Sequence, residues 1–374
     1  MNNKIYKYFF KEFAYLFTLI LITISFIVWV IQAVNFLDFV TEDGHSFTVY
    51  FKYSLLTLPK IFTRLFPFAF LISMFFTILR FRKSNELLIL WLSGLNKIKF
   101  VRFTIYISIV ILILQVILST TINPMSLEIS RSILKSSDIG FYPSLIKEKK
   151  FNDTIKNLTI FIDKKTNGEM KKIYLRDDTS ELESKTIISN SGKIINLNGS
   201  NILQLYNGVI ETEKNKNINF VKFDELNINL SLFSTKTTTH AKIQERSTLE
   251  LLSCYVFFKN NFLSLVEDCK LRIDNEVLKD ITNELNRRFG MSLYILLIGI
   301  IINYLIVAKN NEKDSKKNYL IFFISVLVIV GGEILVRYSG NSFINILAYY
   351  SLPLILSVIL YFKLKINFNQ EKVE

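Results

Sequence analysis

Four stretches of this chain carry no charged residue: residues 13–37, 103–127, 289–308 and 338–362. Each is long enough to cross a bilayer, for which roughly 20 apolar helical residues suffice. Two further apolar stretches, near 53–79 and 318–336, fit between them with a few interior or terminal charges. The pattern predicts six transmembrane helices, three at each end of the chain. A long polar segment between Glu128 and Arg288 separates the two sets.

A formal net charge of +13 invites a nucleic-acid reading until the charges are located. The N-terminal segment, the link between helices two and three, the link between helices four and five, and the C-terminal tail together hold 16 basic residues against 6 acidic ones. The link after helix one instead opens with Asp38, Glu42 and Asp43. All the basic segments fall on one side of an alternating six-helix path, as the positive-inside rule expects. Both termini are therefore expected in the cytoplasm and the polar insert outside it, and nucleic-acid binding is set aside. The first apolar run is too long for a signal peptide's core and lacks a small-residue cleavage site, so helix one is expected to be retained.

Within the insert, Leu158, Ile160 and Ile162 alternate with Thr159, Phe161 and Asp163, and Asn167-Gly168 interrupts before Ile173, Tyr174 and Leu175 resume. A turn pair between alternating runs is a hairpin signal. Ser191-Gly192, Asn198-Gly199 and Asn207-Gly208 are further turn candidates, so an all-β sandwich, barrel or jellyroll is expected near residues 140–235. From Ser247 to Arg288 the apolar spacing becomes helical and returns the chain to helix four. Cys254 and Cys269 lie in the outer segment, where a disulfide is allowed; two free thiols on apolar helix faces are the simpler expectation.

Several chemistries have no residues to carry them. Gly192-Lys193 is the chain's Gly-Lys pair and is followed by Ile194 in a β-like region, so no phosphate-cradling loop for ATP is present. His45 and His240 lie far apart, without metal-site spacing, and no GxSxG occurs. No catalytic residue, metal ligand or cofactor is predicted. Carboxylates in the insert are expected to be a solvated β surface.

The cytoplasmic link 80–100 reads RFRKSNELLILWLSGLNKIKF. Ser84 and Asn85 are candidate helix caps, Glu86 favours a helix start, and Gly94 can close the helix. Leu87, Leu90 and Trp91 form an apolar stripe that either lies on the membrane surface or fills a partner's groove. Two charge pairs at i, i+4 stand at the outer ends of helices: Glu284 with Arg288, and Glu333 with Arg337. Arg337 opposes the positive-inside bias; it is read either as a structural anchor or as a cation for an anionic headgroup. Arg64, inside helix two, is expected to face protein or a cavity.

Through these segments the chain resembles the LptF/LptG permeases of lipopolysaccharide export, with a lean toward LptF in the ELN wording that precedes Arg288. LPKIFTRLFPFAFL is similar to the family's paired-proline helix two, through Pro59 and Pro67; NELLILWLSGL to its coupling helix; LTIFIDKKTNGEMKKIYLRD and FVKFDELNINLS to its periplasmic jellyroll. The outer end of helix one has Gln32 and Asn35 and no basic residue, and Trp91 takes a position that is often polar in the family. The resemblance implies a membrane α-helical protein with six transmembrane helices (3+3) and an inserted all-β, jellyroll-like periplasmic domain. Its parts would be residues 1–136 with a coupling helix at 84–94, residues 137–245, and residues 246–374. It implies a non-catalytic inner-membrane permease subunit of a Gram-negative bacterium that extracts lipopolysaccharide. A cytoplasmic ABC ATPase of the LptB kind, a homologous LptG-like subunit in a heterodimer, and a periplasmic bridge of the LptC/LptA kind would be its partners. Glu86, Leu87, Leu90, Trp91 and Gly94 would couple to the ATPase. Gln32, Asn35, Arg288, Glu333, Arg337, Ile160 and Ile162 would contact lipid, with an apolar cavity lined by part of the 33 phenylalanines. A mechanotransmission permease that drives a periplasmic partner, and a membrane-anchored enzyme, are the alternatives.

Overall fold

The computed structural model describes residues 2–37, 40, 46–136, 148–155, 158–166, 169–178, 183–197, 200–214, 217–229, 242–259, 275–307 and 312–370. Two compact units emerge: Met1–Val30 with Thr57–Glu128 and Lys242–Glu374, and Ile31–Leu56 with Ile129–Ala241. The second unit thus takes the end of helix one and the start of helix two as well as the polar insert.

Among the described residues, six helical spans are long and apolar enough to cross a membrane: Lys4–Asn35, Phe47–Lys83, Lys97–Leu134, Glu276–Ile306, Lys316–Ser339 and Phe343–Gln370. Their elements are α1 (Asn2–Asn35), α2 (Phe47–Leu56), α3 (Leu58–Lys83), α4 (Glu86–Leu92), α5 (Lys97–Ile117), α6 (Asn123–Ser136), α7 (Thr248–Lys259), α8 (Asn275–Ile302), α9 (Glu312–Ser339) and α10 (Phe343–Gln370). A single π-helical turn, Leu118–Ile122, joins α5 to α6, and a 3₁₀ turn, Asn303–Ile306, ends α8. In α8, 78% of the apolar window is buried, against 11% in the first span. It is therefore the central post of the first unit. Phe9, Phe13, Phe17, Phe66, Phe70, Phe81 and Phe100 are buried among one another, largely edge to edge or edge to face. These phenylalanines are packed core, and Phe81 also lines an open apolar hollow with Ile5, Tyr8, Ile89 and Leu90.

Two prolines inside spans explain how neighbouring helices are fastened. Pro67 in α3 has no N–H to give to the carbonyl four residues earlier, that of Thr63. The Gln115 Nε2 of α5 donates to that carbonyl at 2.9 Å. Pro353 in α10 frees the Tyr349 carbonyl in the same way, and the Tyr294 hydroxyl of α8 donates to it at 3.2 Å. Each break in a helix ladder is thus repaired from an adjacent helix. Gln115→Leu should lower stability by about 1–3 kcal/mol, the cost of a buried carbonyl left bare. Adding Pro67→Ala, which restores the N–H, should recover part of that loss in thermal melts of the purified protein.

The insert folds as one antiparallel meander in strand order: β1 (Phe151–Ile155), β2 (Leu158–Thr166), β3 (Glu169–Asp177), β4 (Glu183–Leu197), β5 (Ser200–Lys214) and β6 (Asn217–Asn229). Asn167-Gly168 and Asn198-Gly199 lie outside the described residues, between strands paired up to Thr166↔Glu169 and Leu197↔Ser200. The other two predicted turns do not reverse the chain. Ser191-Gly192 sits inside β4 and Asn207-Gly208 inside β5.

These two pairs instead mark a crease. Inward-facing positions along a strand normally recur every two residues. Here they step by three at one row: Met170 to Ile173 in β3, Ser189 to Gly192 in β4, Leu205 to Gly208 in β5, and Phe223 to Leu226 in β6. The ladder omits the same row, Asp163, Lys172, Asn190, Asn207 and Asp224, while pairing on both sides keeps one register. Lys172 and Asn207 hold φ of 52° and 50° there. A phase change in one strand would flip its later side chains to the wrong face. Because neighbouring strands change phase together, the sheet bends and keeps one apolar face inward. A Cβ at Gly192 would stand 2.6 Å from Ile173 Cδ1, and one at Gly208 would overlap Phe223, so the bend needs both glycines. Turn chemistry was present in the sequence; its use for a bend in place of a reversal was not.

Cys254 is buried against Leu251, Ile281 and Leu285 and is disulfide-bonded, which corrects the expectation of a free thiol. Cys269, the chain's other cysteine, lies outside the described residues, as do His45 and His240.

Candidate functional site

A small polar chamber of about 40 Å³ opens at the end of the helical unit that the charge pattern places outside. It is lined by Lys60, Thr63, Arg64 and Pro67 of α3, Gln115 of α5, Ser119 of the π turn, Asn123 of α6, Gln244, Glu284, Arg287, Arg288 and Met291 of the returning segment and α8, and Glu333 of α9. Its volume admits a water or two, or a few headgroup oxygens. Four cations face two carboxylates. Arg287 reaches Glu284 at 3.6 Å and Glu333 at 3.8 Å, tying α8 to α9. Arg288 takes the other oxygen of Glu284 at 3.2 Å. Lys60 and Arg64, one helical turn apart, make no ion pair within 4 Å among the described residues, although Lys60 feels the charges of Glu245 and Glu284. Two buried carbonyl oxygens on the lining, Gln115 Oε1 and Asn123 Oδ1, also have no partner among the described residues. The chamber is therefore a cationic mouth with acceptor groups behind it, suited to an anionic group that also carries hydroxyl or amide donors.

Arg288 belongs to the wall of this chamber and is only 2% exposed. Besides Glu284 it donates to Thr248 Oγ1 at 2.7 Å and to the carbonyls of Gln244 and Arg246 at 3.2 and 3.0 Å. Thr248 donates in turn to the Thr120 carbonyl, and Ser119 donates to the Arg288 carbonyl at 2.7 Å. Both acceptor contacts involve the π turn, whose widened ladder leaves side chains and carbonyls to bond sideways. The Arg288 guanidinium thus clamps the segment returning from the insert, residues 244–248, to α8, and Thr248 ties it on to the π turn.

At the opposite end, α4 is shorter than the predicted 84–94. Ser84 bonds Glu86 Oε1 at 2.8 Å, and Asn85 enters the helix at φ 58°. Gly94, at φ 82°, closes it: Gly94 N–H donates to the Trp91 carbonyl and Leu95 N–H to the Leu90 carbonyl, the paired bonds of a Schellman ending. The predicted stripe faces inward. Leu87 is 4% exposed, Leu90 packs on the core, and Trp91 meets Phe100 edge-on at 5.7 Å. Leu88, Ile89 and Leu92 are the exposed apolar side chains, at 55%, 62% and 79%. A seven-residue helix written almost wholly in apolar letters has two apolar sides, and spacing alone does not say which one the protein buries.

The remaining predicted residues are dispersed. Gln32 and Asn35 lie in the last turns of α1. Ile160 and Ile162 are buried in the sheet's own core. Arg337 is exposed in the last turn of α9, and Glu333 bonds Arg287 of α8 in place of Arg337. Sequence reasoning missed Lys60 and Arg287. Lys60 directly follows Pro59 and repeats at Arg64, a charge pair at i, i+4 on an otherwise apolar helix, which was the available signal.

Comparison with known sequences adds two findings. Residues 7–365 match the family described as "Lipopolysaccharide export system permease LptF/LptG". The chain is also 29% identical over 253 residues to "Uncharacterized protein RP871" of Rickettsia prowazekii (strain Madrid E), covering 66% of this chain and 70% of that protein.

Proposed function

Because the chain belongs to the lipopolysaccharide export permease family LptF/LptG, we propose that it extracts lipopolysaccharide from the outer leaflet of the inner membrane and hands it to a periplasmic bridge, powered by a separate cytoplasmic ATPase. The observation that carries this reading is the pairing of a cationic chamber at one end of the helical unit with a capped, outward-apolar helix at the other. Lys60 and Arg64 supply positive charge for headgroup phosphate, and the bare Gln115 and Asn123 carbonyls accept from its hydroxyl or amide groups. Leu88, Ile89 and Leu92, with Glu86, dock the ATPase, while Leu87, Leu90, Trp91 and Gly94 hold that surface in shape. A homologous LptG-like subunit completes the membrane pair. The sheet ends in β6, whose Ile218, Phe220 and Val221 are exposed; this edge is our candidate for strand addition by an LptC/LptA-like bridge.

Arg337 offers a separable test. As an exposed guanidinium at headgroup depth it would share the phosphate with the chamber, so Arg337→Lys should retain part of the transport and Arg337→Glu should abolish it, with subunit assembly unchanged in both. Release of lipopolysaccharide from proteoliposomes to a soluble acceptor reads this out. Full transport by Arg337→Glu would remove Arg337 from the pathway. A permease that drives a partner without moving lipid would give normal ATPase coupling and no lipid adduct on the helical unit.

A further inference from the structure

We propose that a hollow between the first turns of α1 and α5 binds an anionic glycerophospholipid of the cytoplasmic leaflet, one acyl chain lying in the hollow and the phosphate on Lys7, Lys99 and Arg102. The chamber described above takes Gln115, at the other end of α5, so the two sites are separate. The hollow holds a resident lipid and not the transported one. It shares with the permease reading only the orientation that places the start of the chain in the cytoplasm.

The hollow has a volume of about 300 Å³, within the range of pockets that take small ligands. Tyr6, Lys7 and Phe10 of α1 line it with Phe103, Tyr106 and Ile107 of α5, and it reaches Val110. Ile107 is buried at its floor, while Phe10 and Tyr106 stand out at 45% and 64% exposure. The Tyr6 and Phe103 rings, 4.5 Å apart, join the two helices beside it. An unfilled hollow forfeits dispersion contacts along its whole lining. On the outside of a helical span, the filler at hand is a hydrocarbon chain.

Helix spacing supplies the headgroup site. Lys99, Arg102, Phe103, Tyr106 and Val110 recur at i, i+3, i+4, i+7 and i+11 and so form one stripe of α5, basic in its first turn and apolar beyond it. From Lys99 to Val110 the stripe runs about 16 Å at about 1.5 Å per residue, the depth of one leaflet of a hydrocarbon core roughly 30 Å thick. An acyl chain laid along it reaches the midplane with its phosphate beside Lys99 and Arg102, and Lys7 meets that phosphate from α1. All three cations are exposed, and none makes an ion pair within 4 Å among the described residues. Charge complementarity therefore selects an anionic headgroup over a zwitterionic one, and a lipid over a neutral partner helix.

The full-length protein in phosphatidylethanolamine vesicles tests this, with a small fraction of photoactivatable phosphatidylglycerol as probe and the same fraction of photoactivatable phosphatidylcholine as control. Peptide mass spectrometry after irradiation should find phosphatidylglycerol on Phe10, Tyr106 or Val110 at least about fivefold above phosphatidylcholine, the occupancy equivalent of one cation near an anionic surface. Lys7→Gln with Arg102→Gln should erase that preference, and Lys7→Arg with Arg102→Lys should keep it. Equal labelling by the two lipids, or a preference that survives the paired Gln changes, would overturn the site. So would labelling that disappears when the homologous subunit and the ATPase are bound, which would give the hollow to a protein partner. Photoactivatable lipopolysaccharide that labels these residues in place of phosphatidylglycerol would also overturn it, while the permease reading would stand.

Discussion

Arg288→Ala is expected to cost about 3–5 kcal/mol, the range for breaking a buried charge pair by removing one partner. Glu284 would be left 7% exposed, with Arg287 at 3.6 Å as its ion-pair partner among the described residues. The carbonyls of Gln244 and Arg246 would lose a buried donor as well. Such a loss approaches the whole stability of many domains, so the variant should yield little folded protein. Adding Glu284→Gln removes the stranded charge and should recover about half of the deficit in thermal melts. A direct lipid contact at Arg288 predicts the opposite pattern: normal folding with impaired transport.

The second large effect concerns α4. Leu88→Asp combined with Leu92→Asp should lower ATPase association by more than a hundredfold, because burying two leucines contributes about 1.5–3 kcal/mol each and each 1.4 kcal/mol is a factor of ten. Both side chains are exposed in the isolated chain, so the fold should be unaffected. Leu87→Asp is the informative contrast. Leu87 is buried against the helical core, and its replacement should reduce folded protein before any effect on the partner is read. Copurification of the ATPase with each variant distinguishes the two faces; loss through Leu87 with normal folding, and none through Leu88 and Leu92, would restore the stripe read from the sequence.

How much was legible follows from which signals are local. The six spans were readable because a charge inside hydrocarbon is expensive, and each of the four charge-free runs falls largely on a helix long and apolar enough to cross a membrane. The strands were readable from alternation, as Leu158, Ile160 and Ile162 illustrate. What spacing did not reveal was cooperation between strands: Ser191-Gly192 and Asn207-Gly208 have turn chemistry, and only their alignment in one row makes them a bend. The same limit applied to α4, where both sides are apolar and Phe100, nine residues beyond Trp91, decides which is buried. In the chamber, Arg64 was expected to face protein or a cavity and does line one, while the bond from Arg287 to Glu333 joins residues far apart in sequence. Pro67 and Pro353 stand in apolar runs of the sequence, but the bonds that Gln115 and Tyr294 give to the carbonyls they free depend on helix packing that composition does not specify.

The central claim is that lipopolysaccharide passes the cationic chamber on its way out of the membrane. A photoreactive residue at Arg64, in proteoliposomes holding the permease pair, its ATPase and lipopolysaccharide, measures this directly. The account predicts a lipopolysaccharide adduct at position 64 without ATP that falls several-fold once ATP and a periplasmic acceptor are supplied, as the lipid is moved on. Absence of any adduct at position 64, or an adduct whose yield is the same with and without ATP while transport proceeds, would contradict it.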